Sequence, residues 1–267
     1  SNFPIFGQNY YAYQYITEKF PGTIEWDASK MAIYSIDIET TSEGGFPNVD
    51  SPSEKVLVIT LQNNNTKKIT TFGLGEFTTS KETEHLDVEW IGCKDEYTLL
   101  KTFLEWWEEN CPDVITGWNS NLFDMPYLIT RTVRMLGEDQ HKRFSPFGLV
   151  NKRPIRFANR EMTAFEITGV AQLDYLDLYK KFTYVTRESY KLDFIAETEL
   201  GKNKLESGFE TFKEFFDGDW NRFVEYNIID TVIVDELEDK MKLIELAITM
   251  AYDAKCNYND VFSAVRT

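Results

Sequence analysis

The stretch Ala32–Thr41 constrains the fold of this chain more than any other. It indicates a strand whose apolar residues are interrupted by Asp37 and Glu39. Because side chains alternate across a strand, the two acids share one face, with Cα atoms roughly 6.6 Å apart, and Ile36 and Ile38 take the other face. Two like charges on a buried strand are costly unless something positive lies between them. A divalent metal ion is the commonest solution, although an isolated pair of this kind more often marks a strand end.

The segments that follow predict an α/β layer fold with a mixed sheet. A hairpin turn is expected at residues 63–65 and a basic loop over 141–154. Two strands are expected to flank a polar hairpin tip at 159–163, and a final helix is expected to run from its cap, Asp219, to about Ala254. The expected elements before the basic loop are strands at 55–62, 67–74, 86–92 and 113–118 and helices at 95–110 and 122–136.

Two further acids lie where they suit a functional site. Asp124 falls at the N-terminus of the second helix, where the helix dipole favours an ionised carboxylate and where Pro126 fits the first turn. On the final helix, Tyr226 and Asp230 share a face that is otherwise apolar. Four carboxylates with no Cys or His nearby in sequence suit hard cations such as Mg²⁺ or Mn²⁺. Two such ions can promote phosphodiester hydrolysis.

The charge balance restricts the functions that the chain can perform alone. Lys and Arg total 28 against 44 Asp and Glu, so the formal net charge is −16. A free-standing nucleic-acid binder normally carries a basic surface, so either nucleic acid is not bound or metals and a basic neighbouring domain supply positive charge. No apolar run approaches the ~20 residues that span a bilayer, and no signal peptide is visible. The three cysteines form no C-x-x-C pair, which favours reduced thiols in a cytosolic setting.

Three ordered motifs resemble those of a nuclease family. Asp37–Glu39, Asn119–Asp124 and Tyr226–Asp230 are similar to the Exo I, Exo II and Exo III motifs of the DEDDy exonucleases. Residues 144–146 and 173–182 are similar to the proofreading domains of family B DNA polymerases from T-even-type bacteriophages. The resemblance implies a DnaQ-like, RNase H-like fold, in which a mixed sheet is flanked by helices and carries an inserted β-hairpin.

The same resemblance implies a 3′–5′ exonuclease that hydrolyses the terminal phosphodiester of DNA and releases nucleoside monophosphates. Its cofactors would be two divalent ions, Mg²⁺ or Mn²⁺. The implied metal ligands are Asp37, Glu39, Asp124 and Asp230, with Tyr226 positioning the attacking water and Lys204 near the scissile phosphate. A related subclass has a histidine five residues before the last acid. Glu225 occupies that position here, so the tyrosine subclass is favoured.

DNA contacts and partners are implied in the same way. The candidate contacts are Asn119, Phe123, Arg160 and Met162, the last two on a hairpin that helps to part the primer end from the template. The implied ligands are single-stranded or frayed 3′ ends of DNA. The implied partners are the remaining domains of the polymerase and replisome proteins, in the cytoplasm of a host cell and without a membrane.

No polymerase motif is visible, so we expect an excised exonuclease domain. Residues 1–30 would be the tail of the N-terminal domain, 31–254 the exonuclease domain, and 255–267 the start of a connection towards the absent remainder. The basic surface that holds DNA would then lie in the absent domains. Two alternatives stay open. One is an RNase H-like endonuclease or resolvase with the same carboxylate chemistry, and the other is a non-catalytic DNA-binding module with a vestigial acidic cluster.

Overall fold

The computed structural model describes residues 11–43, 45, 47–157, 160–202 and 208–262, with the backbone alone for 156, 157, 160 and 161. The strands are β1 (Ile33–Thr40), β2 (Val56–Asn63), β3 (Ile69–Leu74), β4 (Val88–Cys93), β5 (Val114–Thr116), β6 (Val150–Phe157), β7 (Arg160–Ile167) and β8 (Ala171–Gln172). The α-helices are α1 (Tyr11–Lys19), α2 (Glu96–Asn110), α3 (Asp124–Leu136), α4 (Tyr175–Phe182), α5 (Leu192–Leu200), α6 (Phe212–Gly218), α7 (Trp220–Met241) and α8 (Leu243–Ala254). Short 3₁₀ helices cover Ala28–Lys30, Glu138–Phe144 and Tyr258–Phe262.

A six-stranded mixed sheet lies at the centre, with strand order β4-β3-β2-β1-β5-β8. β1 pairs antiparallel with β2, and β2 with β3, while the other three pairings are parallel. β6 and β7 form a separate two-stranded hairpin. The predicted α/β fold, with a mixed sheet, flanking helices and an inserted hairpin, is therefore confirmed. Among the described residues, no helix combines the length and apolar character needed to cross a membrane.

The alternation along β1 is the one that the sequence predicts. Ile36 and Ile38 are 1% and 3% exposed and pack with α2 and α3 on one face of the sheet. Asp37 and Glu39 are half-buried and project from the opposite face, on which α7 lies against β1 and β2. The acids of β1 therefore face a helix rather than open solvent.

The two faces of the sheet are covered by different sets of helices. α2 and α3 bury one face through a single apolar cluster. On the other face α7 is the central helix, with α6 packed beside its first turns and α4, α5 and α8 beside its later turns. Because α7 contacts both neighbouring groups of helices, its position relative to β1 is fixed from both sides.

Two long helices begin at a capping aspartate. Asp95 accepts the N–H of Thr98 before α2, and Asp219 accepts the N–H of Arg222 before α7. Each aspartate satisfies one of the N–H groups that the first turn leaves without an intrahelical partner. The predicted cap at Asp219 is confirmed.

The prediction of one continuous final helix is wrong. Lys242 adopts a left-handed conformation (φ 56°, ψ 38°) and separates α7 from α8. The carboxylate of Glu238 accepts the N–H groups of Ile244 and Glu245 at 2.9 and 3.2 Å, so it satisfies the first turn of α8 from within α7. Apolar periodicity continues across the break, which is why the sequence does not reveal it.

The hairpin and the segment before it also differ from expectation. Residues 141–154 were expected to form a basic loop, but they include the end of a 3₁₀ helix and the first half of β6. The strands pair from Val150 opposite Ile167 to Phe157 opposite Arg160, so Arg160 and Met162 lie in β7 rather than in a tip at 159–163. Residues 151–154 of β6 are exposed, and an exposed strand accepts polar residues, so polarity did not mark the turn. Residues 158 and 159 lie outside the described residues.

A buried ion pair anchors the segment between β1 and β2. Arg131 of α3 donates two hydrogen bonds to Glu96 of α2, both at 2.7 Å, and both side chains are 5% exposed. The same guanidinium donates to the carbonyls of Pro52 and Ser53, and Glu96 accepts the N–H of Val56. The chain that follows the two acids of β1 is thereby fixed to α2 and α3.

This ion pair gives a stability prediction. Arg131→Met should lower the free energy of unfolding by about 3–5 kcal/mol, because it leaves the buried Glu96 carboxylate without its charge partner. Arg143→Met is the matched control, since Arg143 makes the same two-bond contact with Glu108 near the surface. An exposed pair is worth only about 0–1 kcal/mol. Urea unfolding of both variants is the measurement, and equal losses would contradict the buried role of Arg131.

Candidate active site

Three acids from β1 and α7 meet on one face of the sheet. Asp37, Glu39 and Asp230 each offer one carboxylate oxygen, and these oxygens lie within 4.8 Å of one another. We call these three residues the acid triad. Asp230 is 5% exposed, and the two strand acids are half-buried. The three acids come together because α7 crosses the face of β1 from which Asp37 and Glu39 project.

The acid triad fits a hard divalent cation. Mg²⁺ binds oxygen ligands at about 2.0–2.1 Å, so two ligands on opposite sides of one ion lie about 4.2 Å apart. Carboxylate oxygens within 4.8 Å of one another are compatible with this spacing. All three donors are oxygens, which suits Mg²⁺ or Mn²⁺ better than a soft metal.

Asp124, the fourth predicted acid, contacts the backbone between the two strand acids. β5 ends at Thr116, which pairs with Ser35, and on this side of β1 no described strand continues beyond that point. The N–H of Ile38 is therefore free of a ladder partner and donates to Asp124 Oδ1 at 3.1 Å. Asp124 is 3% exposed and joins the start of α3 to the centre of the acid-bearing strand. It is not one of the three acids in the 4.8 Å group.

Burial dominates the electrostatics of Asp124. It raises the pKa of this carboxyl to about 7, and the charges of Asp174 and Asp230 also raise it, while the hydrogen bond from Ile38 lowers it. This shift has the direction that crowding and desolvation give. A positive ion bound nearby would favour the ionised form of Asp124.

Asp174 organises the loop between β5 and α3. Its carboxylate accepts the N–H groups of Asn119 and Asn121 at 3.1 and 2.9 Å, and it also caps α4 through the N–H of Leu176. Asn119 has a left-handed backbone (φ 67°) within this loop. Asp174 is not among the residues predicted from the sequence, although an aspartate between a strand and a helix is a typical cap.

The same loop requires glycine at position 117. A Cβ on Gly117 would lie 2.5 Å from the carbonyl oxygen of Ile36 and 2.9 Å from Ser120 Cβ. Real contacts of this kind are longer, so any other residue would push the loop away from β1. Gly117 thus lets the chain pass close to the strand that carries two acids of the triad.

Two predicted aromatic residues lie at the edge of this region. The half-buried ring of Tyr226 packs at 5.7 Å from the ring of Phe215 in α6, nearly perpendicular to it. Tyr226 is one turn before Asp230 on α7, as the sequence predicts. Phe123 is half-buried and lies 5.5 Å from the ring of Tyr127. Its packing against the core cluster is the ordinary role of an aromatic beside a strand end.

The remaining predicted residues are only partly described. Met162 is half-buried, and its backbone pairs with Ile155 in the hairpin. Arg160 pairs with Phe157 through its backbone, and its side chain lies outside the described residues. Lys204 also lies outside them.

Two residues beside Tyr226 and Asp230 make contacts that the sequence did not predict. Asn227 is fully buried and donates from Nδ2 to Asp37 Oδ2 at 2.6 Å. Glu225 occupies the position of the histidine in the related subclass. It is 4% exposed and accepts hydrogen bonds from Thr83 Oγ1 at 2.7 Å and from the N–H of Ser80 at 2.9 Å. Glu225 thus ties α7 to the loop between β3 and β4.

The protein thus has an α/β fold with three carboxylates gathered on one face of its central sheet. Residues 9–195 match the family described as DNA polymerase family B, exonuclease domain. The chain belongs to this family of exonuclease domains. The family match ends within α5, before Tyr226 and Asp230.

Curated relatives agree with this family. The chain is 30% identical over 98% of its length to a DNA-directed DNA polymerase of Escherichia phage RB69 and 29% identical over 98% to one of Enterobacteria phage T4. It is 26% identical over 81% of its length to a DNA polymerase catalytic subunit of Human herpesvirus 8 type P (isolate GK18). The chain covers 31% of each phage protein and 22% of the herpesvirus protein.

Asp174 provides a pH prediction. Burial, and then the charge of Asp177, raise the pKa of Asp174 to about 7, although its hydrogen bonds to backbone N–H groups lower it. The folded state therefore keeps a proton that the unfolded chain releases near pH 3.9. The resulting stability is fully present below about pH 4 and is lost as the pH rises through about 7. In EDTA, the parent should lose free energy of unfolding relative to Asp174→Asn across this window.

Asp95→Asn is the control of opposite sign. A hydrogen bond from Thr98 lowers the pKa of Asp95, so its contribution is present above the unfolded pKa and is lost as the pH falls. Urea unfolding of the parent and both variants at a series of pH values is the measurement. If the difference between the parent and Asp174→Asn is independent of pH, the raised pKa of Asp174 is refuted.

Proposed function

We propose that this chain is a metal-dependent 3′–5′ exonuclease acting on DNA, the proofreading part of a viral replicative family B DNA polymerase. It would hydrolyse the terminal phosphodiester of a strand and release nucleoside monophosphates. The observation that carries this proposal is the acid triad, which lies in a chain of the exonuclease-domain family. The activity of the polymerase as a whole belongs to the same proposal, since the chain spans about a third of its phage relatives.

The proposed cofactors are two divalent ions, Mg²⁺ or Mn²⁺. Bound ions of this kind supply an activated water and neutralise charge on the leaving oxygen in phosphodiester hydrolysis. Asp37 would contribute to both ion sites, with Glu39 and Asp230 beside it. Asp124 would complete the set, because it is fixed to the amide that separates the two strand acids.

The protein side chains would then orient the reactants. Glu39 would orient the attacking water, because it shares a strand face with Asp37 and is only half-buried. Tyr226, one turn before Asp230, would position the same water with its hydroxyl group. The proposal also includes Lys204 near the scissile phosphate, on the basis of the motif resemblance.

The proposed substrate is the single-stranded or frayed 3′ end of DNA. Asn119 and Phe123 lie in the loop before α3, next to Asp124, and Arg160 and Met162 lie on the hairpin. With a formal net charge of −16, the chain cannot rely on electrostatic attraction to a duplex, so base stacking would supply much of the binding. The remaining polymerase domains and replisome proteins are the proposed partners.

Loss of an acid should remove the activity. Asp37→Ala and Asp230→Ala should each reduce cleavage of a 3′-labelled single-stranded oligonucleotide with Mn²⁺ by more than about 100-fold, since removing a group that only orients a metal ligand already costs about 10–100-fold. Asp239→Ala is the control, because Asp239 lies on the same helix with a side chain that is 53% exposed. Parental activity in both acid variants would refute the assignment.

Substrate form distinguishes the alternatives. A circular single-stranded DNA has no 3′ end, so the proposed exonuclease must leave it intact. Cleavage of the circle would instead support an endonuclease or resolvase. DNA binding without any metal-dependent turnover would support a non-catalytic module.

Metal should also stabilise the fold. An ion that binds only the native state adds about 2.7 kcal/mol when its concentration is a hundred times its Kd. Mn²⁺ should therefore raise the Tm of the parent above its value in EDTA. Glu39→Gln keeps the size of the side chain but removes one charge of the triad. It should melt no lower than the parent in EDTA, because repulsion falls, and its Mn²⁺ shift should be smaller. A destabilised variant with an undiminished shift would indicate that Glu39 is a structural acid.

A further inference from the structure

A buried amide contacts the acid triad from the side. Asn227 of α7 has no exposed surface, and its Nδ2 donates to Asp37 Oδ2 at 2.6 Å. The identity of the partner fixes the orientation of the amide, because a carboxylate accepts from N–H and repels a carbonyl oxygen. The hydrogen bond joins α7 to the acid of β1 that the proposed function uses most.

The other end of this amide is poorly satisfied. Within the described part of the chain, Asn227 Oδ1 is buried and accepts no hydrogen bond. Leaving a buried acceptor unpaired is unfavourable, and an apolar side chain of similar size would avoid that penalty. The stability of the fold does not explain this asparagine, whereas its contact with Asp37 does.

The helix places two groups of the site on one turn. Asn227 and Asp230 are three residues apart and therefore lie on the same face of α7. One turn thus supplies both an acid of the triad and the donor that holds a second acid. Phe223, Val224 and Ile228 are buried beside these two residues in an apolar cluster with β2 and β3, so the turn is rigidly placed.

We propose that Asn227 is a positioning residue, which holds the Asp37 carboxylate in the orientation that faces Glu39 and Asp230 and so prepares the acid triad for a divalent cation. The proposal rests on the metal-dependent function proposed above. Without the amide, Asp37 loses one hydrogen bond that holds its carboxylate against the repulsion of the two other acids. The Nδ2–H bond opposes that rotation before any ion binds and occupies one side of the carboxylate.

The expected effect of losing Asn227 follows from the role of residues that hydrogen-bond to metal ligands. A hydrogen bond to a ligating carboxylate fixes its orientation, and its loss typically lowers metal affinity or activity by about 10–100-fold. Asn227 contacts no reacting atom in this arrangement. Its removal should therefore lower kcat and raise the Mn²⁺ concentration needed for activity, while the KM for DNA stays unchanged.

Asn227→Leu tests the proposal, because leucine has a similar size and no donor. Mn²⁺ binding is measured directly from the electron paramagnetic resonance signal of free Mn²⁺, and cleavage of a single-stranded oligonucleotide is measured over a range of Mn²⁺ concentrations. We expect an increase in the Mn²⁺ Kd of at least about 10-fold, and partial recovery of kcat at high Mn²⁺. Asn227→Ala serves if the leucine variant does not fold. A water in the vacated space can donate to Asp37, so its defect should be smaller but of the same sign.

Gln62→Leu is a closely matched control. Gln62 of β2 is 3% exposed and donates from Nε2 to the carboxylate of Asp235 on α7 at 3.1 Å. Its Oε1, like Asn227 Oδ1, is buried without a described hydrogen-bond partner. Removing it disturbs the same sheet–helix interface but touches no acid of the triad, so its Mn²⁺ Kd and kcat should remain parental.

The outcomes separate this proposal from the proposed function. Parental Mn²⁺ affinity and kcat in a folded Asn227 variant, or the same losses in Gln62→Leu, would overturn the positioning role alone. A parent that binds Mn²⁺ but cleaves no DNA would refute the proposed function, and the Mn²⁺ Kd of Asn227→Leu would still decide the role of Asn227. A parent that binds no Mn²⁺ overturns both, because no ion site then remains to be prepared.

Discussion

Repulsion between carboxylates at short range is the constraint on which the rest of the site depends. Two unit charges about 4 Å apart repel by about 4 kcal/mol at an effective dielectric constant of 20. The acid triad gathers three such groups with oxygens within 4.8 Å of one another. Their positions are imposed by rigid elements: an interior strand supplies two, and a helix packed from both sides supplies the third. The fold itself therefore fixes the spacing of the three acids.

The point at which β5 ends allows Asp124 to contact β1. Because β5 stops opposite Ser35, the next part of β1 has an open edge, and the loop before α3 comes close enough for Asp124 to bond the Ile38 amide. Gly117 permits that approach, and Asp174 holds the loop through two backbone N–H groups. Because β5 is short, the N–H of Ile38 donates to a buried carboxylate instead of to a neighbouring strand.

Much of this could be predicted from local sequence. The first five strands and the helices α2 and α3 lie within two residues of their expected bounds, because each has clear periodicity and α2 also has a capping aspartate. Asp37, Glu39 and Asp230 stood out because acids on apolar stripes are unusual. The predictions failed where tertiary contacts overrode the pattern. Glu238 allows a helix break that apolar spacing conceals, and the hairpin extends its strands through polar residues.

The sequence by itself determined the order of the elements, the face of β1 that bears the acids and the family motifs, since these depend on alternation, helical spacing and residue type along the chain. Only the tertiary structure decided which acids meet. It brings Asp230 to Asp37 and Glu39, turns Asp124 towards a backbone amide, and sets Asn227 against Asp37 across 190 positions of sequence. Hydrogen bonds between distant segments depend on how helices cross the sheet, and no local pattern encodes that crossing.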